Sequence, residues 1–328
     1  MKETGLPSPA KGELLVKVSA ALTCGTDLKA YLRGHKLIPM PGPFGHEFSG
    51  VVAQAGPGVR RFREGDGIMA VHTAPCRSCA YCRRGFYNLC ENIMETKVLG
   101  AFGEYLLLPA RVVRDNTFIK PKKLSFGEAA FLEPLSCVVH GVNRLAIKDK
   151  AKKTALIFGA GPIGLLHLIL LKAGGLRAAV CALEEERLAL ARRLGADAAT
   201  KPDGLARAVK EFSPGGVDYA IECTGRREVW ESAPDHVRRG GSVMLFGGLK
   251  KGTPVQYLAE RIHYDELALM ASFHFCPRDV REAFGLLESG GVDVKPLISG
   301  VYPLEETEEA LRKLSAGDGI KYVIDPRR

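Results

Sequence analysis

The chain contains no apolar run of the roughly 18 residues that a membrane-spanning helix needs. Its longest helical apolar stretch, Ile163 to Leu171, is interrupted by His167 and stops at Lys172. Met1 to Ala10 is polar and holds two prolines, so it does not read as a secretory signal. No internal repeat and no low-complexity linker breaks the sequence. These absences set the expectation of a soluble, cytoplasmic protein with no membrane partner.

Acidic residues are in deficit: 37 Asp and Glu face 46 Lys and Arg, a net charge of +9. The basic residues are spread along the chain, and no aromatic-basic alternation recurs, so no nucleic-acid partner is expected. An anionic substrate or a phosphorylated cofactor fits the charge. With 46% hydrophobic and 25% charged residues, disorder and coiled coil are excluded. A chain of 328 residues reads as two domains, or one carrying a large insertion.

The nine cysteines are unevenly placed. Cys76, Cys79, Cys82 and Cys90 crowd together, and the other five are scattered singly among apolar residues. A secreted disulfide scaffold would be shorter and more evenly studded, so the cluster reads as a metal site. The spacing C-x2-C-x2-C-x7-C offers zinc four thiolates and no open position, which suits a structural ion; an iron–sulfur cluster is the other candidate.

The early part of the chain is β-like. Glu13 to Ala21 and Glu47 to Gln54 are rich in Val, Leu and Phe, and glycine and proline punctuate them. From about Phe126 to Met270 short apolar runs alternate with helical patterns. Strands are expected at Thr154–Phe158, Ala178–Ala182, Val217–Glu222 and Ser242–Phe246, with helices at Ile163–Ala173 and Glu185–Leu194. Such alternation predicts a parallel sheet covered on both faces. After about Ala271 the pattern mixes again, with helices at Val280–Leu287 and Glu305–Leu314 and a closing strand at Lys321–Ile324.

Gly159-Ala160-Gly161-Pro162-Ile163-Gly164 fits G-x-G-x-x-G, follows an apolar strand and opens a helix. A helix N-terminus there would present N–H groups to a pyrophosphate. The fingerprint expects an acid about 20 residues further on, gripping the adenosine ribose. Ala182 stands in its place. The missing carboxylate and the nearby Arg187 favour NADP, whereas Glu184 in the acid's role would favour NAD; the run Glu184–Glu186 also reads as a solvated first helical turn. A second candidate metal set is Cys24, His46 and Glu47, with Glu133 as a further carboxylate. A thiolate, an imidazole and a carboxylate can hold zinc with one position open. Taken singly, Cys24 reads as a small buried residue, His46 as a core histidine and Glu133 as a cap.

Together these motifs resemble the zinc-dependent medium-chain alcohol dehydrogenases, in the sorbitol/polyol and threonine dehydrogenase branch. The matching segments are CGTD at Cys24–Asp27, GHEFSG at Gly45–Gly50, the four-cysteine lobe, EPLSCVVHG at Glu133–Gly141, GAGPIG at Gly159–Gly164, ECTG at Glu222–Gly225 and GGSVMLFGG at Gly240–Gly248. The resemblance implies an α/β plus β fold. A GroES-like β catalytic domain at 1–130, with the structural zinc lobe at 76–90, would be joined by a Rossmann doubly wound parallel-sheet domain at 131–270. The chain would return to the catalytic domain at 271–328, with the active site in the cleft. Two zinc ions per chain are implied. One is catalytic, on Cys24, His46 and Glu47 with Glu133 nearby or exchanging; the other is structural, on Cys76, Cys79, Cys82 and Cys90.

Thr26 matches the hydroxyl that starts the family's proton relay. Gly159, Gly161, Pro162, Ile163, Gly164, Ala182, Glu184, Arg187, Thr224 and Gly247 are the expected NAD(P) contacts. Three departures are visible: a shorter segment before the first strand, Lys29 where relatives carry a relay histidine (with His35 as a substitute), and Ala182. The expected reaction moves a hydride between a secondary alcohol (a polyol, sugar, cyclitol or amino-alcohol acid) and the nicotinamide. The pocket would draw on Thr26, His46, Leu135 and His140, and on Phe273 and His274, which read equally as packing. The resemblance also implies a homodimer or homotetramer paired through Rossmann-sheet edge strands, for which the apolar Glu266–Phe273 is the candidate edge. The competing readings are a zinc-free quinone or enoyl reductase of the same superfamily and a non-catalytic zinc-binding interaction protein.

Overall fold

A computed structural model describes residues 5–34, 38, 39, 41–95 and 97–327. The chain divides into two compact units: Met1–Ser136 with His274–Arg328, and Cys137–Phe273. Among the described residues no helix is long and apolar enough to cross a membrane.

The first unit is built on a seven-stranded sheet. Numbered along the whole chain, its strands are β1 (Leu14–Leu22), β2 (Phe48–Ala55), β3 (Gly67–Ala70), β4 (Tyr105–Leu108) and β5 (Thr117–Ile119), with β12 (Ile298–Pro303) and β13 (Lys321–Asp325) from the returning segment. The order is β12-β13-β1-β2-β3-β5, with β4 also paired to β1. Sheet curvature lets β1 bury all but one of its nine residues, Lys17 being the exposed one. Leu14, Val16, Phe48, Val52, Ile68 and Leu108 fill the interior.

The second unit carries β6 (Thr154–Phe158), β7 (Arg177–Cys181), β8 (Ala198–Thr200), β9 (Val217–Glu222), β10 (Val237–Leu245) and β11 (Ala268–Ala271). All are parallel, in the order β11-β10-β9-β6-β7-β8. Every residue of β6 is buried, as a strand covered on both faces requires. The order reverses between β6 and β9, which opens a crevice at the carboxyl ends of those strands. The expected strand Glu266–Phe273 is confined to Ala268–Ala271, at the edge of this sheet.

Candidate active site and cofactor loop

The antiparallel pairing of β1 and β2 brings two distant motifs together. Ala21 faces Phe48 in the register, and Leu22 N donates to Glu47 O at 2.9 Å. Cys24, just beyond β1, caps the helix Gly25–Arg33, its sulfur accepting from Thr26 N at 3.4 Å. His46 and Glu47 lie just before β2. The ligand atoms of Cys24, His46 and Glu47 all fall within 4.8 Å of one another.

Asp27, in the first turn of that helix, is fully buried. Its Oδ1 lies 3.3 Å from His46 Nδ1 and accepts from Gly45 N at 3.3 Å. An Nδ1–H held by a carboxylate leaves Nε2 as the lone-pair nitrogen, the arrangement that orients a metal-binding imidazole. Burial opposes a charge on His46, but Asp27 and Cys24 outweigh it and carry the ring well above its ordinary pKa. Cys24, His46 and Glu47 thus converge with Asp27 behind the ring, as a divalent metal site requires. The donor set therefore fits zinc: one sulfur, one imidazole and one carboxylate. Asp27→Asn is expected to weaken zinc affinity about 10- to 100-fold, because an amide can present its N–H₂ to the ring and disfavour the required tautomer. A zinc competition titration checks this.

Sequence reasoning missed two neighbours. Lys321, the first residue of β13, is buried; its Nζ donates to Thr23 O at 2.9 Å and to Glu47 Oε2. Burial pushes the Glu47 carboxyl up to about 7 against the pull of Lys321. His72, just past β3, packs edge-on against His46 with centroids 5.1 Å apart. Burial, then the neighbouring His46, holds His72 well below its usual pKa. Glu133 stands outside the three-ligand set, its Oε1 3.3 Å from His72 Nδ1.

His274 reaches the same corner. Its Nε2 is 2.6 Å from Thr73 Oγ1, its ring lies 5.3 Å from His72, and its φ is +62°. Thr26 is half-buried and Lys29 exposed. His35 lies outside the described residues. Leu135 and His140 are buried, and Phe273 is exposed.

The four lobe cysteines also converge, with their sulfurs within 4.8 Å of one another. Ser78 N and Cys79 N donate to Cys76 Sγ at 3.4 and 3.3 Å, Cys82 N to Cys79 Sγ at 3.5 Å, and Cys76 N to Cys90 Sγ at 3.3 Å. Hydrogen bonds from Ser78 and Cys79 bring Cys76 down to about 5, whereas burial pushes Cys82 up to about 12. Backbone N–H groups aimed at sulfur favour thiolates, as a tetrahedral zinc requires.

In the second unit Gly159 ends β6 at φ +96°. A Cβ at Gly164 would lie 1.8 Å from Gly159 O, so only glycine lets the helix Pro162–Ala173 start this close to the strand. Gly161 caps that helix and Pro162 opens it; Ile163 follows in its first turn. Thr224 packs on the loop, its Cγ2 3.0 Å from where a Gly159 Cβ would sit. Gly247 follows β10 and accepts Trp230 Nε1–H on its carbonyl at 2.7 Å. Ala182 is buried just after β7. Glu184 caps the helix Glu185–Arg193 from an exposed position. Arg187, on that helix, reaches Ala160 O of the glycine loop with Nη1 at 3.5 Å.

Comparison with known proteins places both units in known families. Residues 10–116 match the family described as alcohol dehydrogenase GroES-like domain, and residues 162–289 the zinc-binding dehydrogenase family. D-arabinitol dehydrogenase 1 of Uromyces fabae is 32% identical over 96% of this chain and 90% of its own. D-arabitol-phosphate dehydrogenase of Enterococcus avium is 32% identical over 98% and 92%. A crystal structure of a zinc-binding dehydrogenase from Sinorhizobium meliloti 1021, bound to NADP, superposes with a TM-score of 0.88 at 32% identity, covering 98% of this chain and 94% of that one.

Proposed function

Because the chain belongs to the zinc-dependent medium-chain alcohol dehydrogenases, with a GroES-like unit and a Rossmann unit, we propose that it oxidises a secondary alcohol of a polyol or polyol phosphate with NADP or NAD. The observation that carries this reading is the donor set Cys24, His46 and Glu47, oriented by Asp27 and braced by Lys321.

When bound there, zinc supplies Lewis acidity that lowers the pKa of an alcohol hydroxyl and polarises a carbonyl in the reverse direction. The chain's own groups do the rest. Cys24 and His46 would hold the ion, and Asp27 fixes the imidazole. Glu47 is balanced by Lys321, and Glu133, which faces His72, would be the exchanging fourth ligand. Thr26 sits in the first turn beyond Cys24 and takes the hydroxyl proton outward. Gly159, Gly161, Gly164 and the N-terminus of the helix Pro162–Ala173 receive the pyrophosphate. The lobe cysteines support a second, structural zinc.

Ala182 in place of an acid, and Arg187 over the glycine loop, support NADP over NAD. Nine free cysteines support a reducing, cytoplasmic setting. The edge position of β11 supports a homodimer or homotetramer, which light scattering reads directly.

The test is nicotinamide absorbance with zinc-loaded protein, crossing NAD and NADP with polyols, polyol phosphates, cyclitols, threonine and simple secondary alcohols. A rate confined to polyols or their phosphates is expected. A rate only with quinones or enoyl substrates would overturn the reading. In the same assay Arg187→Ala is expected to lower the NADP-to-NAD preference about tenfold or more, the effect of losing one charge-assisted contact to phosphate. An unchanged ratio would remove Arg187 from the ribose pocket.

A further inference from the structure

Three strand ends of the second unit meet at one buried carboxylate. Glu222 closes β9 and has no exposed surface. Its Oε1 accepts three hydrogen bonds, from Thr224 N and Thr224 Oγ1 at 2.5 Å each and from Gly225 N at 2.9 Å. Its backbone carbonyl accepts from Phe246 N at 3.0 Å and Gly247 N at 2.9 Å, just past β10. The contact is too close for side chains: a Cβ at Gly247 would lie 2.3 Å from Gly225 N and 2.7 Å from Glu222 Oε2. On the other side, Cys223 N donates to Phe158 O of β6 at 3.0 Å, and Thr224 packs on Gly159.

We propose that Glu222 is a positioning residue for the dinucleotide, its carboxylate holding Thr224–Gly225 and Gly247 in the shape that receives the cofactor where β6 and β9 diverge. The inference rests on the cofactor reading above. Its physical basis is the number of donors converging on one acceptor. Without that acceptor, two backbone N–H groups and a hydroxyl in a glycine-bordered loop would lose their fixed partner, and the loop that abuts the first phosphate-binding glycine would relax. Burial raises the Glu222 carboxyl above its ordinary pKa while the Thr224 and Gly225 donors pull it back, so the group sits under opposing demands.

Trp230 is the chain's single tryptophan, and its Nε1–H is tied to Gly247 O. Its emission therefore reports on this turn without any turnover. The experiment compares the zinc-loaded full chain with Glu222→Gln, titrating NAD and NADP while following Trp230 fluorescence. Glu222→Gln is expected to raise the dinucleotide Kd about 10- to 100-fold, with the loss concentrated in KM for the dinucleotide rather than in kcat. Glu222→Asp, which keeps the charge but withdraws it by one methylene, carries the test if Gln does not fold, and is expected to show the same direction. An unchanged Kd in a folded variant, or a loss confined to kcat, would overturn the assignment. A wild-type chain that binds neither dinucleotide would instead sink the cofactor reading, and this inference with it.

Discussion

Cys24→Ala is expected to abolish turnover, by about 10³-fold or more, while leaving NAD(P) binding intact. The size follows from what is removed. Lewis-acid stabilisation of developing charge is worth several kcal/mol, and each ~1.4 kcal/mol is a factor of ten in rate. Alanine removes the one thiolate of the set, leaving His46 and Glu47, of which Glu47 is already engaged by Lys321. Two ligands are too few for a tetrahedral zinc. The proposed cofactor contacts lie in the other unit, on Gly159–Gly164, Thr224 and Gly247, so the fluorescence titration of the dinucleotide should be unaffected. Metal analysis should show one zinc per chain in place of two. Retained turnover in a variant lacking that zinc would remove the metal from the chemistry.

The motifs reveal this site more fully than its surroundings. Cys24, His46 and Glu47 are legible because thiol, imidazole and carboxylate beside strand ends are metal-ligand types, and because antiparallel pairing of β1 and β2 puts both strand ends at one place. Lys321 is not legible: it stands 274 residues from Glu47 in sequence, and a lysine opening an apolar strand gives no hint that it is buried. His72 is missed for the opposite reason. A lone histidine in an apolar run reads as core, and only its 5.1 Å approach to His46 shows otherwise.

The same division holds for the parallel sheet. β6 and β9 match their expected limits residue for residue, since each carries a short apolar run (Ala155–Phe158; Tyr219–Ile221) ended by a glycine-bearing loop. β10 starts at Val237, five residues before the expected Ser242, because Arg238–Gly241 is polar and glycine-bearing and conceals extended backbone. β8, three half-buried residues, is too short to show a period. Glu222 reads from sequence as the end of a strand and part of a matching segment; the convergence of Thr224, Gly225, Phe246 and Gly247 on it depends on two loops meeting, which spacing does not encode.

The lobe, by contrast, should govern stability rather than chemistry. Cys82→Ser keeps shape but replaces a zinc-binding thiolate with a poor ligand, at a position that is nearly fully buried. The lobe has little else to hold it. Its interior is the four cysteines with Ile93, Tyr87 and Met94, and its short helix Ala80–Arg83 has four residues, far below what is stable alone. A structural zinc of this type contributes on the order of 10 kcal/mol to folding the segment that binds it. Its loss is therefore expected to unfold the lobe and expose Val98 and the Cys76–Cys90 backbone to solvent. Val98 N is bonded to His72 O at 2.7 Å, so the disturbance reaches the strand end beside the candidate active site.

A fall in Tm of about 10 °C or more is expected, since each kcal/mol is worth roughly 2–4 °C in a domain of this size. Calorimetry with zinc analysis checks it, as does limited proteolysis, which should cut first between residues 76 and 95. The temperature dependence of the activity loss distinguishes the two proposed metal sites. Cys82→Ser should lose stability at a rate set by temperature yet keep dinucleotide binding and measurable turnover when cold, whereas Cys24→Ala should stay folded and silent at every temperature. If Cys82→Ser keeps both zinc ions and its Tm, the four-cysteine set holds no metal, and the N–H···S bonds alone account for its shape.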